Sequence, residues 1–163
     1  MSRATIRRAH LVAGLLGFLA ILIFWTSTVA TELAGSREAI AAVKGGILWG
    51  MLILVPAMAL AGASGFSLGG KSKAALVAAK RRRMPVIALN GLLILAPCAV
   101  FLAGRAGSGT FDAVFYAVQA IELVAGALNL VLMGLNIRDG LRLSGRRGRT
   151  TLRSAGSSAP QPR

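Results

Sequence analysis

Four segments of the chain are about as long as a bilayer is thick and almost free of charge: 11–30, 45–63, 84–103 and 113–137. A helix needs about 20 apolar residues to cross the hydrocarbon core of a bilayer. A helix also satisfies its backbone hydrogen bonds internally, which lipid requires of any spanning segment. The segments therefore predict an all-α integral membrane protein with four helices, named here the first to fourth spans.

The overall composition excludes several other classes of protein. Of 163 residues, 55% are hydrophobic and 15% are charged, whereas soluble domains have about 45–50% and about 25%. A chain this apolar is not intrinsically disordered, and one cysteine cannot build a disulfide scaffold. A soluble enzyme is therefore not expected.

The distribution of basic residues predicts the orientation of the spans. Sixteen of the 19 Lys and Arg residues precede the first span, lie between the second and third, or follow the fourth. The other two links hold only Arg37, Lys44 and Arg105. Short loops rich in Lys and Arg stay in the cytoplasm. We therefore expect an antiparallel four-helix bundle over 1–139, with both termini and the middle loop cytoplasmic.

The last 24 residues, 140–163, are rich in Gly, Ser and Arg and contain no acidic residue after Asp139. Such a segment has too few apolar groups to bury. It is predicted to be a disordered basic cytoplasmic tail.

The first span has a second interpretation, as a signal peptide cleaved after Ala30. Signal peptides have apolar regions of about 7–15 residues, and the apolar segment 11–30 is longer. A retained helix is therefore favoured over cleavage.

Prolines and aromatic residues add local predictions. Pro56 and Pro97 lie inside apolar segments, where each removes a backbone hydrogen bond and bends its helix. Trp25 and Tyr116 lie near the ends of the first and fourth spans opposite the basic segments. Both fit aromatic anchors at the membrane interface.

A set of polar residues on the fourth span, which we call the polar stripe, consists of Gln119, Glu122, Asn129 and Asn136. Helical residues three, four or seven apart share a face. Because polar groups facing lipid are costly, the stripe should face the other helices.

Glu122 is the acidic member of the stripe. An ionised carboxylate within a span costs on the order of 2.5–3.5 kcal/mol, and Lys44 is the basic residue whose side chain could reach it. Glu122 is either a proton-binding or ligand-binding acid or, as we favour, a structural group bonded to a neighbouring helix.

Asn129 and Asn90 should lie at matching depth in the fourth and third spans. The short link 104–112 makes these spans neighbours. We expect a hydrogen bond between the two side chains that serves packing.

His10, the single histidine, is the one candidate cofactor ligand. It could ligate a haem together with Met58, Met84 or Met133, or with His10 of a second copy in a symmetric dimer. The favoured interpretation is an interfacial polar residue. No sequence pattern indicates a metal site or a catalytic nucleophile.

Small residues and basic residues indicate partners. Gly46 and Gly50 form a GxxxG motif that permits close helix approach, so a homo-oligomer or a larger membrane complex is compatible with the sequence.

The basic loop and tail favour anionic lipid headgroups over non-specific nucleic acid. The excess of Arg over Lys, with abundant Ala and Gly, suggests a bacterial protein. An integral membrane protein of this kind is then expected in the inner membrane.

The pattern resembles that of small four-helix bacterial membrane proteins. The leading functional hypothesis is a non-catalytic subunit or assembly partner within the membrane. The alternatives are a redox subunit that binds haem or quinone near His10, and a proton-coupled carrier that uses Glu122.

Overall fold

The computed structural model describes residues 2–69 and 75–156, which are almost entirely helical and contain no strand. The helices are α1 (Arg3–Ala34), α2 (Arg37–Gly69), α3 (Ala75–Asn90), α4 (Ala96–Gly107) and α5 (Ala113–Gly156), with a π-helical turn at Gly91–Leu95. Within the described ranges, four helices are long and apolar enough to cross a membrane: Arg3–Ala34, Arg37–Gly69, Leu76–Gly107 and Ala113–Arg142. The third of these combines α3, the π turn and α4.

The helices extend beyond the apolar segments because polar side chains cap their first turns. The Ser2 hydroxyl accepts a hydrogen bond from the Thr5 N–H at 3.1 Å, and the Ser36 hydroxyl accepts one from the Ala39 N–H at 3.3 Å. Such caps satisfy amide groups that have no partner within the helix. The spans therefore begin several residues before hydrophobicity alone predicts.

Asp112 caps α5 and lies in the link before it. Its Oδ1 accepts a hydrogen bond from the Phe115 N–H at 2.9 Å, and its other oxygen is paired with Arg105. The Phe115 amide and the Arg105 guanidinium hold the pKa of the Asp112 carboxyl below its usual range. The start of the fourth span is thereby tied to the end of the third.

The third span changes its helical geometry before Pro97. At Gly91–Leu95 the backbone forms a π turn, and the Ala96 N–H donates to the Gly91 carbonyl. Proline has no N–H to continue the α-helical pattern, and π-helix occurs mostly as single turns inside α-helices. The irregularity predicted at Pro97 therefore takes the form of a wider turn just before it, whereas α2 continues through Pro56.

The fourth span continues past the boundary predicted for the tail. Its helix runs to Gly156, so the predicted start of the tail at Gly140 is not a helix end. Residues 140–156 contain no proline, and their Arg and Leu residues favour helix while their four Gly residues oppose it. The remainder of the predicted tail, 157–163, and part of the predicted basic loop, 70–74, lie outside the described residues.

The spans pack around two apolar clusters. One joins Ile40, Leu102 and Phe115, and the other joins Ile21, Ile87 and Met133. Each cluster unites side chains from three spans, while many other Leu, Ile and Val side chains remain exposed on the outside. This distribution suits a bundle whose outer surface contacts lipid.

The GxxxG glycines have different environments. Gly50 packs against the ring of Phe24, so an added Cβ would clash with that ring, whereas an added Cβ at Gly46 meets nothing within 4 Å. Gly17 likewise packs against Met58. Gly50 and Gly17 therefore allow the first and second spans of the same chain to approach closely.

Replacing Gly50 by alanine should therefore destabilise the bundle, by about 1–3 kcal/mol for an overpacked contact. Gly46→Ala is the matched control and should be neutral or slightly stabilising, since alanine favours helix over glycine. Thermal unfolding of the two variants in detergent measures the difference. Equal loss of stability in both variants would contradict the assignment of Gly50 to an intrachain contact.

Candidate functional site

The polar stripe of the fourth span lies against the other spans. Gln119, Asn129 and Asn136 are 3%, 1% and 6% exposed, whereas Val124 on the opposite side of the helix is 72% exposed. A helix in lipid keeps its polar side chains away from the hydrocarbon. The stripe therefore forms one wall of a polar interior with three groups of contacts.

The first group is an ion pair between Lys44 of the second span and Glu122 of the fourth. The Lys44 side chain is 1% exposed, and the Glu122 side chain is 12% exposed. Gln119 donates from Nε2 to the same Glu122 oxygen at 3.2 Å. The pair neutralises two charges that would each be costly if buried alone.

A second carboxylate lies near this pair. Glu32, close to the end of the first span, interacts electrostatically with both Lys44 and Glu122. The cluster of Glu32, Lys44 and Glu122 therefore brings two acidic groups close to one basic group. The sequence interpretation included Lys44 and Glu122 but did not include Glu32, which lies beyond the apolar segment 11–30.

The second group joins the third and fourth spans. Asn90 donates from Nδ2 to Asn129 Oδ1 at 2.9 Å and to the Ala125 carbonyl at 2.8 Å. Asn129 donates in turn to the Ile87 carbonyl at 3.4 Å. The two asparagines therefore bond to each other and to the backbone between the two helices.

The third group contains a second ion pair, between Arg83 and Asp139, with Nη1 and Oδ2 2.7 Å apart. Asn136, the last member of the stripe, lies beside it and donates from Nδ2 to Met84 Sδ at 3.6 Å. Sequence reasoning missed Asp139 because the stripe was ended at Asn136. The spacing could have indicated Asp139, because it follows Asn136 by three residues and so lies on the same helical face.

His10 lies next to this third group, with Ser64 and Lys80. Its Nδ1 is 3.0 Å from the Ala61 carbonyl oxygen and 3.1 Å from Ser64 Oγ, and its Nε2 is 3.0 Å from Lys80 Nζ. A carbonyl oxygen accepts only, so Nδ1 donates to it and Nε2 accepts from Lys80. The ring nitrogens of His10, on the first span, thus contact the second and third spans.

His10, Ser64, Lys80, Arg83 and Asp139 together define what we call the basic end of the bundle. The opposite end, which holds Lys44, Glu122 and the links 35–36 and 108–112, we call the linker end.

The aromatic residue Trp25, predicted as an interfacial anchor, makes a hydrogen bond to the fourth span. Its Nε1 donates to the Leu123 carbonyl at 2.9 Å, and its ring packs beside Gly126. An indole N–H within a bundle needs such an acceptor. Trp25 therefore contacts the fourth span, whereas Tyr116 is 47% exposed at the start of that span.

A cavity of about 570 Å³ extends between the spans. Among its lining residues are large flexible or aromatic side chains: Phe24, Trp25, Met51, Met58, Phe66 and Met84. Glu122, Thr28 and Asn129 contribute polar atoms to the same lining. The volume lies within the range of about 300–1,000 Å³ found for small-molecule sites.

The cavity opens sideways between the second and third spans. Val55, Phe66 and Leu92 belong to its lining, yet they are 54%, 69% and 68% exposed. The second span packs chiefly against α1, and within the third span it contacts α4 much more than α3. A gap therefore remains beside α3, on the surface that would face lipid.

Family models, characterised proteins and solved structures gave no match to this chain. The function is therefore argued from the geometry alone.

Single replacements in the Lys44–Glu122 pair should be more damaging than the double replacement. Lys44→Met or Glu122→Leu leaves one buried charge without its partner, which typically costs about 3–5 kcal/mol. The double variant removes both charges and should recover most of that loss. Val124→Leu, at a lipid-facing position, is the control and should leave stability unchanged.

Thermal unfolding in detergent of the wild type, both single variants and the double variant completes a double-mutant cycle. If the losses from the two single variants simply added in the double variant, the pair would not be coupled and the account of the first group would fail.

Proposed function

We propose that the chain is an antiparallel four-helix membrane protein with both termini in the cytoplasm. Two observations support the antiparallel arrangement. The links 35–36 and 108–112 are short, which favours antiparallel neighbours. Contacts between the first two spans also run in opposite directions, since His10 meets Ser64 whereas Phe24 meets Gly50.

The charge distribution supports the orientation. The basic end collects Lys80, Arg83 and the segments richest in Lys and Arg, and such segments stay in the cytoplasm. At the linker end, Lys44 and Arg105 are each paired with a carboxylate. The excess of Arg over Lys, with abundant Ala and Gly, supports a bacterial inner membrane as the location.

Cysteine labelling with a membrane-impermeant maleimide tests the orientation in intact cells. In a Cys98→Ala background, Ser36→Cys and Ser108→Cys should be modified from outside. Ser2→Cys should react only after the cells are opened. Labelling of Ser2→Cys in intact cells, with Ser36→Cys protected, would reverse the proposed topology.

The function that the geometry supports best is that of a non-catalytic membrane subunit or assembly partner. The observation that carries this proposal is that charged side chains of different helices are paired with one another. On the fourth span, Glu122 is held by Lys44 of the second span and Asp139 by Arg83 of the third. Charged side chains that pair between helices in this way stabilise the helix bundle.

A proton-coupled carrier is the second candidate, because Glu122 also borders the cavity. Glu32 interacts electrostatically with Lys44 and Glu122, so a change in the charge of one carboxylate would be felt by the other. The redox hypothesis receives less support, because Lys80 would have to be displaced from His10 Nε2 before a haem iron could bind there.

Isolation of the protein at its native expression level distinguishes these functions. A membrane subunit should migrate as a complex larger than the purified chain alone, contain a second polypeptide at fixed stoichiometry and show no Soret band. Migration at the size of the isolated chain would contradict the proposal. So would proton flux in proteoliposomes that is lost in Glu122→Gln.

A further inference from the structure

We propose that the lateral cavity binds one hydrocarbon chain of an anionic phospholipid, with the headgroup at the basic end. The lining gives the first reason. It is dominated by aliphatic, aromatic and methionine side chains, and these favour a flexible hydrocarbon over a polar solute.

The dimensions of the cavity suit a long chain. On the second span its lining extends from Ile47 to Phe66, which corresponds to about 28 Å at about 1.5 Å per residue. Half of a hydrocarbon core is about 15 Å thick. A chain entering from one leaflet therefore fits within the length of the cavity.

The opening of the cavity gives a route of entry. The exposed lining residues Val55 and Leu92 lie on the second and third spans. A lipid chain can move sideways through the gap between these spans without crossing a polar barrier. A water-soluble ligand would first have to partition into the hydrocarbon.

Charge sets the direction of the bound lipid. Arg82 precedes the lining residue Pro85 by three residues, so both lie on one face of the helix. Arg81 lies beside Gly69, one turn beyond the lining residue Phe66, with its Nε 4.0 Å from the position of an added glycine Cβ.

At the other end of the cavity the polar lining includes Glu122 and Thr28. Lys44 at this end is already paired with Glu122, whereas the arginines at the basic end attract an anionic headgroup. Among the described residues, no carboxylate pairs with Arg82. The phosphate therefore belongs beside Arg82, with its chain pointing towards Glu122.

The inference goes beyond the proposed subunit role and depends on the proposed topology only for the choice of leaflet. With the opposite orientation, the same end would draw the same lipid from the other leaflet. The binding test below uses purified full-length protein and is independent of orientation.

The test is native mass spectrometry of the protein titrated with phosphatidylglycerol or with phosphatidylcholine of identical chains. One phosphatidylglycerol per protein should bind about fivefold more tightly than phosphatidylcholine, which matches about 1 kcal/mol for one arginine near an anionic headgroup. Arg82→Gln should remove that preference and leave phosphatidylcholine binding unchanged.

Two variants fill the cavity. Gly62→Leu and Ala88→Trp both lie in the lining, and an added Cβ at Gly62 meets nothing within 4 Å. Each variant should weaken binding of both lipids at least tenfold. Ala120→Trp, at an exposed position outside the lining, is the matched control and should bind like the wild type.

Circular dichroism and thermal unfolding identify any variant that fails to fold, and Gly62→Leu provides the test if Ala88→Trp does so. Equal affinity for the two lipids would overturn the proposal. Retention of the lipid in both cavity-filling variants would also overturn it, as would a lipid-free dimer that covers the cavity.

Discussion

An unpaired charge in hydrocarbon is costly, and the arrangement of this bundle depends on that constraint. Lys44 is 1% exposed and lies in α2, next to the apolar segment 45–63. Its ammonium group needs a partner there, and Glu122 of the fourth span provides one. Since the two residues are 78 positions apart, their ion pair links the second and fourth spans across the bundle.

The remaining polar groups also need partners, and they find them on other helices at other levels of the bundle. Asn90 and Asn129 bond between the third and fourth spans, and Arg83 and Asp139 pair the same two spans nearer the basic end. Apolar packing between membrane helices has little driving force against lipid. The hydrogen-bonded and charged contacts therefore specify which helices adjoin, while Gly17 and Gly50 allow the first and second to pack closely.

Hydropathy was sufficient to predict four helices, because a helix that crosses a bilayer needs about 20 apolar residues. The seven-residue spacing from Glu122 to Asn129 also puts these residues on one helical face, and the structure buries Asn129 and leaves Glu122 12% exposed. The contacts of His10 with Ser64 and Lys80 could not be predicted in this way, since three spans must first be placed. Trp25 shows the same limit, because an indole suits both an interface and an internal hydrogen bond.

The cavity was also beyond the reach of sequence patterns. Its lining comes from all four spans, and its opening depends on how the second span separates from α3. Pro97 itself predicts an irregularity in the third span. That the irregularity is a π turn could be learned only from the backbone of the structure.

A nitroxide scan of residues 119–136 in lipid bilayers tests most directly whether the polar face of the fourth span points inwards. Accessibility to oxygen, which concentrates in hydrocarbon, should be highest at the exposed positions Ile121, Val124, Leu128 and Val131. It should be lowest at Gln119, Asn129 and Asn136, with the periodicity of a helix. A scan with the opposite phase, or with no periodicity, would contradict the account.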